Sequence, residues 1–584
     1  MEAPAPVVDR MRPRLAAATL LCGGLLLIAL FARLVHINTE FRAPLLALAE
    51  RQRQASSVVP ARRGMIFDAR GRVAAASELR PDVFIDPLVV EDLDAAATSL
   101  GPRLNIAPSE ILENVRARPD SRFVVVAKQV DAIAADAVRE LRLPGVGLSE
   151  RPIRKYPLKE SMAHVLGWVG HDRKGLEGLE LHYDAHLSGR DGRRGTITDA
   201  RRRAIGRSEG DLVPPTDGGH IVLTIDSEVQ RIVEEAVRDA AKGVNAESGV
   251  GLAMNPYTGD IVAMACWPTF DPGEAERTPS WIRRNRTVTD PTEPGSTFKP
   301  FVMSGALEGG FVNTSEKINC HMGKHYFGSR LVTDTKPHGF LDVRGIVAKS
   351  SNIGMGLIAE RMGNPALHAT VRRFKFGECS GVDFPGEDAG VVYSLPKWGK
   401  LTTQSIAMGY EVMVTPLQLA RGFAAIVNDG QLVRPRLVKQ LLSPAGEVVK
   451  SFDEPEVVGR AVARDVAEYL VHDPLRAVVE DGGGNKTKCR QYTVLGKTGT
   501  TKLTYRDRPL YEPGAYVGTF VGAAPASHPG LVVLVMIRRP DPKIAYYGAA
   551  VAAPAVGRIF DEALSYLGIP PDRPGVERVA SGSP

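Results

Sequence analysis

At 584 residues the chain exceeds one ordinary domain, and its 44% hydrophobic content is enough for real cores, so two or more domains are expected. A formal charge of +6, from 73 Lys and Arg against 67 Asp and Glu, is mild for this length; with no long basic run or interleaved aromatic stripe, it argues against a nucleic-acid partner. The five cysteines, Cys22, Cys266, Cys320, Cys379 and Cys489, form neither a CxxC pair nor a dense framework, and so name no redox compartment.

Arg10, Arg12 and Arg14 precede an uncharged stretch from Leu15 to Ala32. As a helix this stretch is about 27 Å long, close to the hydrocarbon thickness of a bilayer. Arg33 can snorkel while Leu34, Val35 and Ile37 extend the span to residues 15–37. Arginines ahead of a span hold that end in the cytoplasm. The expectation is a single-pass anchor, with residues 1–14 as a cytoplasmic tail and the body exported. The competing reading is a cleaved signal peptide, whose apolar core usually runs roughly 7–15 residues, shorter than this one.

From Phe41 to Gln54, apolar residues recur at helical spacing between Arg and Glu, which predicts an amphipathic stalk helix. Arg63 to Gly71 reads as a strand breaking into a glycine turn. From there to Thr216, strands such as Phe123 to Ala127 alternate with short helices such as Asp131 to Arg142, the pattern of an irregular α+β module without a paired catalytic constellation. Gly175 to Gly192, with Glu177, Glu180 and Asp191 among its glycines, reads as a structural joint bearing solvated carboxylates. Pro214 to Gly219 is the clearest linker.

Past the linker, Ile221 to Ile225 predicts a strand and Ser227 onward a helix capped by Asp226 or Ser227. Val250 to Met254 and Asp260 to Met264 flank Asn255-Pro256-Tyr257-Thr258-Gly259 as a hairpin. Tyr492 to Leu495, Val517 to Val521 and Leu531 to Ile537 supply late strands, with helices such as Leu417 to Val427 between. Strands at both ends imply an antiparallel sheet closed by distant parts of the chain and packed against helices. The expected class is therefore α+β: a transmembrane helix, one module over residues 38–213, a second over 219–568, and a loose Pro- and Ser-rich tail over 569–584.

The second module carries three short elements in order: Ser296-Thr297-Phe298-Lys299, Ser350-Ser351-Asn352 and Lys497-Thr498-Gly499-Thr500. A serine three residues before a lysine is common, and alone also fits a capped surface helix; the ordered triple is far rarer. Glu293-Pro294-Gly295 breaks the chain, so a helix is expected to start at Ser296 and bring Lys299 one turn on, its ammonium beside the Ser296 hydroxyl. A free serine is a poor nucleophile, and a lysine whose pKa falls on partial burial can take its proton. Pro300 lacks the amide hydrogen that would reach the Ser296 carbonyl in an ideal helix.

Ser350-Ser351-Asn352 reads as a turn. There Ser350 can pass a proton between Lys299 and a leaving amine, while the Asn352 amide fixes Lys299 or the substrate backbone. Lys497 to Thr500 is expected on an edge strand. Lys497 would be a point charge for a substrate carboxylate, with the Thr498 and Thr500 hydroxyls binding it too. Gly499 removes a side chain where substrate must approach the backbone. The oxyanion would sit between the backbone amides of Ser296 and Thr500. Cys320, His321, His325 and His338 match no standard zinc spacing, so no metal is expected.

With these elements in this order, the chain resembles the class B penicillin-binding proteins, peptidoglycan D,D-transpeptidases, over nearly its whole length. The anchor, the Arg63-Gly64 segment, Arg154 to Gly170 with Ala163-His164-Val165-Leu166-Gly167, and Gly175 to Gly192 resemble the family's pedestal, a dimerisation-like domain. Val414-Thr415-Pro416-Leu417-Gln418-Leu419-Ala420, Asn428-Asp429-Gly430 and Ala552-Ala553-Pro554 match further. Glu293-Pro294-Gly295-Ser296 and the overall length are more similar to the FtsI-type division enzymes than to the elongation-specific branch. Gly409-Tyr410-Glu411 departs from the family, many of whose members carry Gly-Gln there.

The resemblance implies that Ser296 attacks the penultimate D-alanine carbonyl of a pentapeptide stem, expels the last D-alanine and passes the acyl group to an amine on a neighbouring stem. It implies peptidoglycan stem peptides and their lipid-linked precursor as substrates, β-lactams as covalent inhibitors, no cofactor, and a membrane glycosyltransferase of the FtsW type with other division proteins as partners at the septum. A β-lactamase or D,D-carboxypeptidase would use the same triad with water as acceptor, and the anchor and large pedestal favour wall building over these. A bifunctional synthase would need a glycosyltransferase domain that the pedestal stretch does not reveal. A non-catalytic septal scaffold or β-lactam sensor is the reading outside enzymes.

Overall fold

The structure, a computed structural model, describes residues 8–41, 54–198, 204–487, 489–505 and 510–573. It groups into two compact units, one formed by the chain up to Ala61 with Arg190–Thr216, the other by Arg62–Gly189 with Asp217–Pro584.

In the first unit a helix, Val8–His36, runs on into a π-helical turn, Ile37–Phe41. Its segment Pro13–Glu40 is apolar and long enough to cross a membrane, and none of it is buried. Of the expected stalk, residues 42–53 lie outside the described residues; Phe41 ends the π-helical turn and Gln54 opens a strand. That strand, Gln54–Val59, pairs with Gly192–Thr198, which pairs in turn with Ala204–Val213, making a three-stranded antiparallel sheet from segments far apart in sequence.

The second unit is built on a five-stranded antiparallel sheet in the order Ile261–Trp267, Ser248–Met254, Leu531–Arg538, Tyr511–Ala524, Leu495–Thr504. The first two form the expected hairpin. Leu531–Arg538 explains why the late strands read as continuous apolar runs: Val532, Leu534 and Met536 enter one core while Leu531, Val533, Val535 and Ile537 enter another, so both faces are covered. Helices Ser227–Gly243 and Ala553–Tyr566 cover the latter face. The former joins a helical cluster that includes Lys299–Glu308, Asn352–Arg373 and Pro416–Val427. Asp226 caps Ser227–Gly243 by accepting from the Glu228 amide, and Thr415 and Gln418 form a reciprocal capping box that starts Pro416–Val427.

A second sheet of seven strands links early and late parts of this unit. It runs Val448–Ser451, Val438–Leu442, His220–Leu223, Ile66–Phe67, Val73–Ile85, Val124–Ala127, with Val146–Lys155 also on Val73–Ile85. Its pairing of Ile66–Phe67 with His220–Leu223 is parallel. Beside it the joint Gly175 to Gly192 departs from expectation, because its carboxylates are not all solvated. Glu180 is fully buried and accepts from Arg63 Nε and Arg154 Nε at 2.6 Å each. Arg63 Nη1 also donates to Asp184 at 2.6 Å. The short helix Gly178–His182 turns this carboxylate inward, where two guanidiniums distant in sequence, Arg63 ahead of strand Ile66–Phe67 and Arg154 on Val146–Lys155, supply the partners a buried charge requires.

Candidate active site

Gly295, at φ +57, turns the chain sharply, and a 3₁₀ turn, Gly295–Phe298, precedes helix Lys299–Glu308. The sequence led us to expect a helix from Ser296 itself. The tighter turn follows from Pro300: with no proline amide to reach it, the Ser296 carbonyl accepts from the Lys299 amide instead. Pro294, Gly295 and Thr297 to Pro300 are buried while Ser296 is partly exposed, so the turn presents this hydroxyl alone.

Lys299 is fully buried, and its amine points to the second element. Lys299 Nζ donates to the Ser350 carbonyl at 2.7 Å, to Asn352 Oδ1 at 2.8 Å and to Ser350 Oγ at 3.2 Å. Among the described residues no hydrogen bond reaches Ser296 Oγ. Lys497, also fully buried, donates to the same Ser350 Oγ at 3.0 Å and to the Thr498 carbonyl at 3.1 Å. One hydroxyl therefore sits between two buried amines. Burial pushes Lys299 down to about 7, against the opposing pull of Asp334, and burial with Lys299 alongside pushes Lys497 well below its ordinary value.

The Ser350 turn is held at φ +58, in the left-handed region where a serine is strained. What fixes it was missed in the sequence: Asp334, just after strand Arg330–Thr333. Its carboxylate accepts from the Ser351 hydroxyl at 2.6 Å and from the amides of Asn352 and Ile353 at 2.5 and 3.1 Å. Ser351 in turn caps helix Asn352–Arg373, accepting from the Gly354 amide at 2.9 Å. Asn352 Nδ2 donates to the Thr333 carbonyl at 3.0 Å, which leaves its oxygen facing Lys299. Nothing in the spacing of Asp334 marks it, since a loop brings it to the helix start.

Lys497-Thr498-Gly499-Thr500 lies on Leu495–Thr504, an outermost strand of the five-stranded sheet. The space at Gly499 admits a neighbour from within the chain. A Cβ there would lie 2.8 Å from Thr297 Cγ2 and 3.0 Å from the Pro294 carbonyl, so the missing side chain lets the nucleophile turn pack on the strand. Thr498 and Thr500 are partly exposed, and the Thr500 hydroxyl accepts from the Gly548 amide at 3.0 Å.

The divergent Gly409-Tyr410-Glu411 loop supports the turn from below. The Gly409 carbonyl accepts from the Gly295 amide at 3.0 Å, and Glu293 Oε1 accepts from the Glu411 amide at 2.9 Å. Tyr511 donates to the other Glu293 oxygen at 2.9 Å, and burial pushes this carboxyl up despite those bonds.

Residues 58–223 match the family model of the penicillin-binding protein dimerisation domain, and residues 249–561 that of the penicillin-binding protein transpeptidase domain. The chain is 32% identical to the peptidoglycan D,D-transpeptidase FtsI of Escherichia coli strain K12, covering 95% of this chain and 92% of that protein. It is 30% identical to the stage V sporulation protein D of Bacillus subtilis strain 168, covering 96% of this chain and 86% of that one. Among solved structures, penicillin-binding protein 3 of Mycobacterium tuberculosis in complex with aztreonam is similar at a TM-score of 0.68 and 26% identity, over 89% of this chain and 99% of that one. Motifs, architecture and relatives agree: the chain belongs to the class B penicillin-binding proteins and is FtsI-like.

Proposed function

We propose that the chain is a serine-type peptidoglycan D,D-transpeptidase that works through a Ser296 acyl-enzyme in septal wall synthesis. The observation that carries this reading is the pair of buried amines converging on Ser350 Oγ, at 3.2 and 3.0 Å, with Lys299 one turn on from the partly exposed Ser296. A lysine held at about 7 is neutral in much of the population at physiological pH, so Lys299 can accept the Ser296 proton. Ser296 Oγ then bonds the penultimate D-alanine carbonyl carbon, and the backbone amides of Ser296 and Thr500 take the oxyanion.

As the tetrahedral adduct collapses, its C–N bond breaks. The proton passes by way of Ser350 Oγ to the leaving D-alanine amine. An amine of a second stem next attacks the ester, the C–Oγ bond breaks, and the proton that this amine gives up passes to Ser296 Oγ and restores its hydroxyl. Lys497 is disfavoured as a cation while buried beside Lys299. An arriving substrate carboxylate supplies the counter-charge it lacks, so Lys497 becomes the expected point charge on binding, with Thr498 beside it.

The apolar segment Pro13–Glu40 supports a single-pass anchor. The arginines before it support a cytoplasmic N-terminus. The FtsI relative, named a peptidoglycan D,D-transpeptidase, supports action on peptidoglycan; the division septum and a membrane glycosyltransferase of the FtsW type as partner are what the family resemblance implies. β-Lactams would acylate Ser296 and stay. The test is the intact mass of the full-length chain in detergent after incubation with benzylpenicillin, beside Ser296→Ala. One added drug mass in the parent and none in the variant is expected; a parent without adduct overturns the reading.

A further inference from the structure

The hairpin formed by Lys324–Phe327 and Arg330–Thr333 has two unlike faces. Phe327 and Val332 are buried on one, and Phe327 packs so closely on helix Asn352–Arg373 that a Cβ at Gly356 would lie 2.6 Å from its ring. The other face carries two cross-strand pairs, Lys324 with Thr333 and Tyr326 with Leu331, and all four residues are exposed. Tyr326 is 64% exposed and Leu331 47%, an apolar pair left in water on a two-stranded ribbon. This face is continuous with the catalytic centre. The Thr333 carbonyl accepts from Asn352 Nδ2, the Asn352 oxygen accepts from Lys299, and Asp334, next in the chain, holds the turn that carries Ser350. Leu331 stands two residues from Thr333 on the same face, about 7 Å along the strand.

On the transpeptidase reading, the second step needs a place for a second stem. Ser350 Oγ hands a proton to the leaving D-alanine amine, and by microscopic reversibility the incoming amine gives up its own proton at the same oxygen. Until the ester breaks, the donor stem still holds the outermost strand Leu495–Thr504. The second stem is left the opposite wall, which is the Ser350 turn and the hairpin that braces it. Its chemistry suits that surface. The methylenes that carry a side-chain amine match Tyr326 and Leu331, and the carboxylate that ends a stem matches Lys324, which forms no ion pair among the described residues. We propose, resting on the transpeptidase reading, that the outer face of this hairpin binds the acceptor stem, with Tyr326 and Leu331 packed on the chain that carries its amine and Lys324 facing its carboxylate.

The test supplies the full-length chain in detergent with a thioester donor, N-benzoyl-D-alanylthioglycolate, and an N-acetylated stem tetrapeptide whose only amine is on a side chain. The aminolysis product is followed against acceptor concentration, and acylation by benzylpenicillin, which needs no acceptor, is measured beside it. The parent curve should saturate. In Tyr326→Ala/Leu331→Ala the half-saturating acceptor concentration should rise about tenfold, and in Lys324→Gln about threefold, with penicillin acylation at the parent rate. Variants that acylate normally and share the parent's acceptor curve overturn the acceptor site, as does a parent whose product never depends on the acceptor. A double variant that loses penicillin acylation as well makes the hairpin only a brace for the Ser350 turn and overturns the site too. A parent that forms no penicillin adduct overturns the transpeptidase reading itself, and this inference with it.

Discussion

Ser350 is the residue on which the site turns, because both buried amines use the same oxygen. Replacing it with alanine removes the relay without touching the nucleophile. Ser350→Ala should therefore keep its fold and lose about 10²- to 10⁴-fold in acylation rate, read by stopped-flow with a fluorescent penicillin. Lys299 sets the pH response. An ordinary lysine would stay protonated to well above pH 9, whereas this one, held at about 7 by burial, loses its proton through neutrality. Acylation should rise with pH through about 7 and then level off, and Lys299→Arg, which cannot give up its proton, should abolish it. The residue types of the three motifs were legible in the sequence, since acyl transfer restricts them. Their mutual arrangement was legible in part: Ser350 and the Asn352 amide were expected at Lys299, and the Lys299 amine hydrogen-bonds both, whereas the Lys497 amine on the same Ser350 oxygen was not foreseen.

At the scale of elements, Asp334 ties strand Arg330–Thr333 to the start of helix Asn352–Arg373, which breaks at Gly363. A carboxylate on amides at a helix N-terminus gains from both the hydrogen bonds and the helix dipole. Asp334→Asn should lower stability by about 1 kcal/mol by thermal unfolding. It should also slow acylation, because Asn352 and Ser350 follow the helix start. Periodicity served best where both faces of a strand are covered, as in Leu531–Arg538, whose apolar run could hardly be anything else. It served less well at Leu495–Thr504, where Lys497 to Thr500 was expected on an edge strand from its motif rather than from any apolar alternation, and the strand's continuation to Thr504 was not foreseen.

At the scale of the molecule, the second unit is closed by contacts between segments far apart in the chain. Arg63 and Glu180 are 117 positions apart, and Arg154 completes the group from strand Val146–Lys155. Glu180→Gln keeps the volume but leaves two buried guanidiniums without their shared counter-charge. It should cost about 3–5 kcal/mol in urea unfolding, more than any surface ion pair. Local spacing carries no record of such a trio, which is why Glu180 looked like one more solvated carboxylate among glycines. Strand Leu495–Thr504 is last in its sheet, so one row of its peptide groups has no neighbouring strand among the described residues. An outermost strand welcomes an extended guest, main chain to main chain. A guest gripped in that way is sorted by chain direction and handedness rather than by side-chain identity. On the proposed function, this gives a wall-building catalyst tolerance toward varied stems and strictness about chirality, and leaves it open to capture by any rigid amide of the same outline.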